Sequence, residues 1–125
     1  KNYFDKLNPE EVKVIVNKAT EKPFSGEYND FYKNGTYVCK ACESPLFNSS
    51  DKFNSNCGWP SFDDEINNSI KRVPDYSLGR MRTEIVCQTC SAHLGHVFEG
   101  ENFTQKNIRH CVNSISLKFV KNDKK

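Results

Sequence analysis

The 125 residues amount to one ordinary domain, and an apolar content of 36% suffices for one modest hydrophobic core. Eighteen basic and sixteen acidic residues leave a net charge of +2, which does not point to nucleic acid, and no apolar run is long enough to span a membrane. Nine phenylalanines and five tyrosines beside a single methionine favour a core of rings and β-branched side chains, as in a β-sheet protein. We predict a single domain over residues 1–125.

The N-terminal part predicts one short helix. Asn8 suits the N-cap position, Pro9 suits the first helical position and Glu11 the third, and apolar residues follow at helical spacing. We expect a helix over residues 9–19, within a helical segment that spans residues 1–20.

The remainder predicts short β-strands. A loop rich in polar and aromatic residues covers 21–35, the segment 46–62 has the composition of an irregular and partly exposed loop, and the Lys-rich end at 121–125 is predicted to be disordered. Strands are predicted at 36–39, 69–73, 80–87, 92–98 and 107–120, with turns at 74–75, 87–90 and 99–102. The fold class predicted from these patterns is mainly antiparallel β with a helical segment in front.

Six cysteines form two Cys-x-x-Cys pairs, Cys39 with Cys42 and Cys87 with Cys90, and two singles, Cys57 and Cys111. Three disulfides in a secreted scaffold are one interpretation, but such scaffolds are usually shorter than about 80 residues. A thioredoxin-like redox motif is another, but neither pair is followed by the helix it requires. Because each Cys-x-x-Cys turn presents two sulfurs to one ion, the four paired cysteines favour one structural zinc. A closed four-thiolate site has no open position for a substrate, so any chemistry must lie elsewhere.

The last predicted strand carries the best candidate site. Arg109, Cys111 and Asn113 alternate onto one face, which Ile115, Leu117 and Phe119 continue as an apolar face. A cation and an amide beside a thiol on such a face are costly to bury unless they line a cleft. A neighbouring guanidinium lowers the pKa of a thiol, so Cys111 is a candidate nucleophile. An inert core cysteine is the alternative at this position.

Cys57 precedes Gly58, Trp59 and Pro60 in a predicted loop. Trp59, the only tryptophan of the chain, is followed by Pro60, which restricts the turn. We interpret the Trp59 ring as a pocket wall that holds a methyl or thioether group, and an ordinary loop anchor is the alternative. A mobile thiol that reaches a reactive one can resolve a sulfenic acid into a disulfide, so Cys57 is predicted to resolve Cys111.

Two of the three histidines, His93 and His96, follow the second Cys-x-x-Cys turn and can act as acids near neutral pH. In a regular strand they face opposite sides, so both reach one site only if Gly95 marks a bulge. We predict His96 as the acid, and a structural, hydrogen-bonded role is the alternative for His93.

Three blocks of the chain, at residues 57–62, 93–98 and 109–114, resemble the signature sequences of type-B methionine sulfoxide reductases. The two Cys-x-x-Cys pairs and the stretch at 23–28 extend the similarity over most of the chain. The resemblance implies two antiparallel sheets with a structural zinc away from the site. It also implies reduction of the R epimer of methionine sulfoxide in peptides or proteins, with thioredoxin as the reductant.

By the same resemblance, Cys111 is the nucleophile and Cys57 the resolving cysteine, Trp59 and Phe98 bind the substrate, and the sulfoxide is surrounded by His93, His96, Arg109 and Asn113. The chain departs from the family at His110, where an aromatic is usual, and at Glu99-Gly100-Glu101, where Asp-Gly-Pro is frequent. We expect His110 to face away from Cys111, and Glu99 to be a substitute acidic partner for the histidines.

We expect a cytoplasmic monomer, although the chain begins at Lys1 without an initiator methionine and is therefore compatible with excision from a longer protein. The rival function is a non-enzymatic zinc module that binds a protein or small ligand in the same aromatic cleft. That rival explains the zinc but gives no role to the two remaining thiols.

Overall fold

The computed structural model describes residues 3–121, which form two antiparallel β-sheets and one α-helix. The elements are α1 (Pro9–Ile15), β1 (Gly35–Cys39), β2 (Pro45–Asn48), β3 (Lys52–Phe53), β4 (Ser61–Phe62), β5 (Ile70–Asp75), β6 (Arg82–Cys87), β7 (His93–Glu99), β8 (Ile108–Val112) and β9 (Leu117–Lys121), with 3₁₀ helices at Ser49–Asp51 and Ser114–Ser116. The small sheet has the strand order β2-β1-β9, and the large sheet has the order β3-β4-β8-β7-β6-β5. The predicted fold class is confirmed.

The core lies between the two sheets and consists largely of rings. Phe47 of β2 stacks on Phe62 of β4, with ring centroids 4.3 Å apart and an interplanar angle of 12°. Tyr37 of β1 meets Phe62 edge-on at 5.2 Å, and all three side chains are fully buried. These contacts join the small sheet to the large one and confirm the aromatic core that the composition predicts.

The helix α1 begins as predicted but ends early. The Asn8 side chain accepts a hydrogen bond from the backbone N–H of Glu11 (2.8 Å), and the Glu11 carboxylate accepts one from the backbone N–H of Asn8 (3.0 Å), which completes a capping box. The helix ends at Ile15 instead of residue 19, because the chain reverses at Lys18, whose φ of 66° is incompatible with a right-handed helix. Among the residues described, no helix is both long and apolar enough to cross a membrane.

The prediction of one strand over 107–120 is wrong. The chain leaves the large sheet after β8, passes through a 3₁₀ helix and enters the small sheet as β9. The break occurs where the carboxylate of Glu21 accepts hydrogen bonds from the backbone N–H groups of Ser114 (2.9 Å) and Ile115 (3.0 Å). These groups are then not available to a neighbouring strand, so the face of Cys111 is not continued by Leu117.

Three smaller predictions also differ from the structure. The segment 46–62 contributes parts of three short strands, β2 to β4, instead of being wholly irregular. Pro74 lies inside β5 and not in a turn, which an edge strand tolerates because its outer N–H groups need no partner. Lys121 is the last residue of β9 and not the first residue of a disordered tail. The rest of the predicted tail, residues 122–125, lies outside the described range, as do residues 1–2.

Candidate active site and metal centre

The centre of the site is a patch of four side chains on the adjacent strands β7 and β8. Cys111 lies directly opposite His96 in the strand register, and Arg109 lies opposite Phe98. Because side chains of directly opposed residues share a face, the thiol lies beside the imidazole, and the guanidinium lies over the Phe98 ring at 4.8 Å. The register of one strand pair therefore assembles half of the predicted site.

A β-bulge brings the two histidines to one side of the sheet. In the pairing of β6 with β7, Val86 opposes His93 and Ile85 opposes Gly95, so Leu94 is the extra residue. The rings of His93 and His96 consequently lie 5.8 Å apart, centroid to centroid. We predicted a bulge at Gly95, and the structure has the bulge one residue earlier, at Leu94.

Gly95 itself is required by a close backbone approach. A Cβ atom at this position would overlap the carbonyl oxygen of Cys111 on the neighbouring strand. We expect Gly95→Ala to lower the free energy of unfolding by about 1–3 kcal/mol, as overpacking does, and to slow methionine formation by moving Cys111. Urea unfolding and a single-turnover assay measure the two effects. The control is Lys71→Ala, at an exposed position of the edge strand β5, and the prediction is contradicted if Gly95→Ala keeps both the wild-type stability and the wild-type rate.

Each histidine is bonded to a carboxylate that the sequence did not indicate. His96 Nε2 lies 2.7 Å from Asp75 Oδ2, and His93 Nδ1 lies 2.8 Å from Glu84 Oε2. The prediction of Glu99 as the acidic partner is therefore wrong. The hydrogen bond with His96 holds the pKa of the Asp75 carboxyl well below its usual range. Asp75 is thus an anion that fixes the His96 ring.

His93 has a different environment from His96. It is buried, with 3% of its surface exposed, and burial lowers its pKa. Its partner Glu84 is also bonded to Lys18 at 3.1 Å. Since His93 does not line the cleft that contains Cys111, this geometry favours the structural alternative for His93.

Arg109 contacts Cys57 and not only Cys111. Its guanidinium donates to both carboxylate oxygens of Glu101, at 2.7 and 3.2 Å, and its Nη1 donates to the Cys57 sulfur at 3.3 Å. Held by Glu101 and the Phe98 ring, the cation has a fixed orientation toward the two thiols.

Each of the two thiols influences the pKa of the other. The hydrogen bond with Cys111 is the largest influence that lowers the pKa of Cys57 to about 4, and Ser55 and Ser61 add to it. The same hydrogen bond, followed by burial, raises the pKa of Cys111, while Arg109 acts in the opposite direction. The two shifts are opposite in direction: the interaction between the thiols favours the ionised form of Cys57 and the protonated form of Cys111.

Seven of the eight predicted site residues surround one cleft of about 170 Å³, and His93 is the exception. The seven are Cys57, Trp59, His96, Phe98, Arg109, Cys111 and Asn113. Thr20 and Arg82 also line the cleft. They were missed because each lies in a segment whose sequence carries no distinctive motif.

Glu21 anchors one wall of this cleft. Its backbone carbonyl accepts a hydrogen bond from Trp59 Nε1 (3.0 Å), and its backbone N–H donates to the side-chain oxygen of Asn113 (3.0 Å). The Asn113 amide nitrogen donates to the carbonyl of Leu94 (3.1 Å). Asn113 thus has backbone partners on two sides, and its geometry is that of a residue that holds the cleft together.

His110 faces away from Cys111, as predicted. Its ring nitrogens lie 2.9 Å from the Phe62 carbonyl oxygen and 2.8 Å from the Glu65 carboxylate, on the core side of the sheet. His110 therefore makes its contacts in the core and does not line the cleft.

The four paired cysteines lie together at a separate place. Cys39 ends β1 and Cys87 ends β6, and in each case the backbone N–H four residues further along donates to the cysteine carbonyl at 2.8 Å. The residue that donates, Glu43 or Ser91, has a positive φ of 65° or 67°. The two turns thus have the same conformation, and each directs two sulfurs to the same side.

The donor set of this cluster fits a metal ion. The four sulfurs all lie within 4.8 Å of one another, and Cys39 lies 3.6 Å from Cys90 and Cys42 lies 3.5 Å from Cys87, sulfur to sulfur. Metal–sulfur bonds of about 2.3 Å in a tetrahedron place the sulfurs about 3.8 Å apart. All six cysteines are free thiols here, so the structure does not support the three-disulfide alternative.

The metal cluster and the cleft are separated by the length of a strand. Arg82, at one end of β6, lines the cleft, and Cys87, at the other end, belongs to the cluster. Five residue steps along a strand span about 17 Å. A metal ion held by these cysteines is therefore too far from Cys111 to touch a substrate in the cleft.

Comparison with known proteins gives a consistent match. Residues 7–121 match the model of a family described as "SelR domain". A rice protein named "Peptide methionine sulfoxide reductase B5" is 51% identical over 115 residues, covering 91% of this chain and 83% of that protein. Two Arabidopsis thaliana proteins are also similar. "Peptide methionine sulfoxide reductase B5" is 47% identical over 90% of this chain and 81% of its own length, and "Peptide methionine sulfoxide reductase B2, chloroplastic" is 52% identical over 91% of this chain but only 56% of its own length.

Proposed function

The chain belongs to the SelR-domain family of type-B peptide methionine sulfoxide reductases, and we propose that its cleft reduces methionine (R)-sulfoxide in proteins and peptides with Cys111 as the nucleophile. It is an oxidoreductase that acts on methionine sulfoxide through thiols. The observation that carries the assignment of residues is the meeting of Cys57, His96 and Cys111 in one cleft. We treat residues 1–125 as one catalytic domain.

In the first step the Cys111 thiolate attacks the sulfoxide sulfur. Its proton passes to the neighbouring Cys57 thiolate, and Arg109 then faces the new negative charge on Cys111. A proton from His96 goes to the sulfoxide oxygen, which turns it into a better leaving group. The protonated oxygen then moves as a hydroxyl from the substrate sulfur to the Cys111 sulfur: the substrate S–O bond breaks, an S–O bond to Cys111 forms, and the transient bond between the two sulfurs breaks as methionine departs. The substrate sulfur is thereby reduced, and Cys111 is oxidised to a sulfenic acid.

In the second step Cys57 resolves the sulfenic acid. The Cys57 sulfur forms a disulfide with Cys111, and the hydroxyl leaves with one proton as water. An external dithiol, for which we propose thioredoxin, then exchanges with this disulfide and restores the two thiols. The proposal is supported by the position of both thiols in one cleft and by the opposite shifts that they cause in each other's pKa.

Other cleft residues bind the substrate or hold the catalytic groups. We assign Trp59 and Phe98 to the methyl group of the substrate, since both present a ring to the cleft. Asp75 orients His96, while Asn113 keeps β7 and the segment of Glu21 in place.

Cys39, Cys42, Cys87 and Cys90 would hold one zinc, because four thiolates in a closed tetrahedral arrangement are a typical structural zinc site. Bound there, zinc supplies a cross-link between the two sheets and no chemistry in the cleft. We propose a monomer in the cytoplasm, since free thiols and thiolate ligands persist in a reducing compartment.

The test is a thiol count after exposure to each epimer of a methionine sulfoxide peptide. The reduced, zinc-loaded protein is expected to lose two thiols and to yield methionine with the R epimer only. A binding module of the same fold would keep both thiols with either epimer, and that result would select the rival function. Loss of thiols with the S epimer alone would contradict the stereochemical assignment.

A further inference from the structure

A second cavity, of about 460 Å³, adjoins the cleft beyond His96. We call it the side groove. Its walls are formed by residues 17–18, after the helix α1, and residues 73–77, at the end of the edge strand β5. Thr20, Arg82 and His96 line both cavities, so the side groove is continuous with the cleft.

The two cavities differ in what they can hold. Sites for whole small molecules usually measure about 300–1,000 Å³, and the cleft of about 170 Å³ falls well below that range. It admits a side chain but not the backbone that carries it. If a methionine sulfoxide side chain occupies the cleft, the backbone of its polypeptide must lie outside the cleft. The side groove begins at the wall of the cleft.

The charges of the side groove are internally balanced. Lys18 pairs with Glu84 at 3.1 Å, and Arg82 pairs with Asp75 at 3.2 Å. The two imidazoles among the described lining residues, His93 and His96, are bonded to these same two carboxylates. The groove therefore fits an uncharged segment.

Tyr76 provides the apolar contact in this groove. Its side chain is 68% exposed, although it lies at the wall of a concave surface beside the cleft. An exposed tyrosine ring offers a large rigid surface to a bound side chain at little cost in conformational entropy.

We propose that the side groove binds the polypeptide segment that flanks the methionine sulfoxide, with the Tyr76 ring against an uncharged neighbouring side chain. This proposal rests on the proposed function, because it assumes that the oxidised side chain enters the cleft. It predicts that the enzyme distinguishes methionine sulfoxide within a polypeptide from a minimal blocked amino acid.

The test compares two substrates, N-acetyl-methionine (R)-sulfoxide N-methylamide and a pentapeptide in which the same residue has two leucines on each side. Tyr76→Ala is expected to lower kcat/KM for the pentapeptide about threefold to tenfold and to leave the value for the minimal substrate unchanged. Leu78→Ala is the matched control, because Leu78 is 64% exposed in the same turn but does not line the groove. This control is expected to change neither value.

A second variant blocks the groove instead of removing a contact. Asn17→Trp places a large side chain at the groove wall and is expected to lower kcat/KM for the pentapeptide only. For each protein the ratio of kcat/KM for the pentapeptide to kcat/KM for the minimal substrate is compared. If this ratio is the same in wild type, Tyr76→Ala and Asn17→Trp, the proposal that the side groove binds the flanking segment is wrong. Failure of the wild-type protein to reduce even the minimal substrate would instead overturn the proposed function.

Discussion

Cys111→Ser is expected to form no methionine above background, even when the variant protein is in excess over the substrate. A serine hydroxyl in this cleft stays protonated near neutral pH and cannot attack the sulfoxide sulfur as a thiolate does. Cys57→Ser should instead form methionine once and then stop, because the sulfenic acid on Cys111 has no partner thiol. Quenched single-turnover assays and the mass of the protein, raised by one oxygen in Cys57→Ser, distinguish the two variants.

The same pair of variants has an expected pH dependence. In the wild type, the hydrogen bond and the negative charge of Cys57 both raise the pKa of Cys111. Their removal in Cys57→Ser lowers that pKa, while Arg109 and His96 remain beside the sulfur. Because the reactive form is the thiolate, the rise of the first-turnover rate with pH should move to lower pH in Cys57→Ser. An unchanged pH profile would show that the two thiols do not share their proton.

Appreciable first-turnover activity in Cys111→Ser would contradict the assignment of the nucleophile. The control is Ser91→Ala, which removes a hydroxyl in the metal turn, far from the cleft, and should keep the wild-type rate. Circular dichroism of each variant separates a loss of chemistry from a loss of folding.

Removal of one cysteine from the metal cluster should have the largest effect on stability. Cys87→Ser is expected to leave the protein largely unfolded at 25 °C and to abolish zinc binding. Structural zinc sites contribute on the order of 10 kcal/mol to folding in small zinc domains, and a domain of this size has a total stability of about 5–15 kcal/mol. Gln88→Ala, an exposed position in the same turn, should retain both the fold and the metal.

The measurements are the zinc content per chain and the thermal unfolding curve with and without a chelator. We expect one zinc per chain, released together with the loss of β-sheet signal. A metal-free protein with an unchanged melting temperature would show that the core alone holds the two sheets together. Such a result would leave the assignment of the cleft intact.

The sequence predicted most of the strands because their signals are local. Alternation, turn residues and the capping box at Asn8 and Glu11 depend on neighbouring positions, and they located the start of α1 and the strands β5 to β7 to within two residues. The split between β8 and β9 was not predictable in this way, because it depends on Glu21, more than ninety residues away. A long-range hydrogen bond leaves no periodic trace in the segment that it interrupts.

The residues of the candidate site also divide into those with a local sequence signal and those without one. The motif residues around Cys57, His96 and Cys111 meet in one cleft, as their resemblance to a family implies. Asp75 and Glu84 bond the histidines, but in the sequence each is only an acidic residue in a strand or turn. The resemblance to the family led us to predict Glu99 as the acidic partner instead. Only the pairing of β5 with β6 and of β6 with β7 brings those carboxylates to the imidazoles.

The Arg109 guanidinium is held by Glu101 and donates to the Cys57 sulfur, so it influences how the charge of the cleft changes during the reaction. The Glu101 carboxylate already offsets the single positive charge of the Arg109 guanidinium, so a thiolate at either cysteine adds a negative charge that this group of side chains does not compensate. Formation of the disulfide removes the thiolate and makes the same group of side chains neutral. The electrostatic potential of the cleft therefore depends on the oxidation state of its two cysteines.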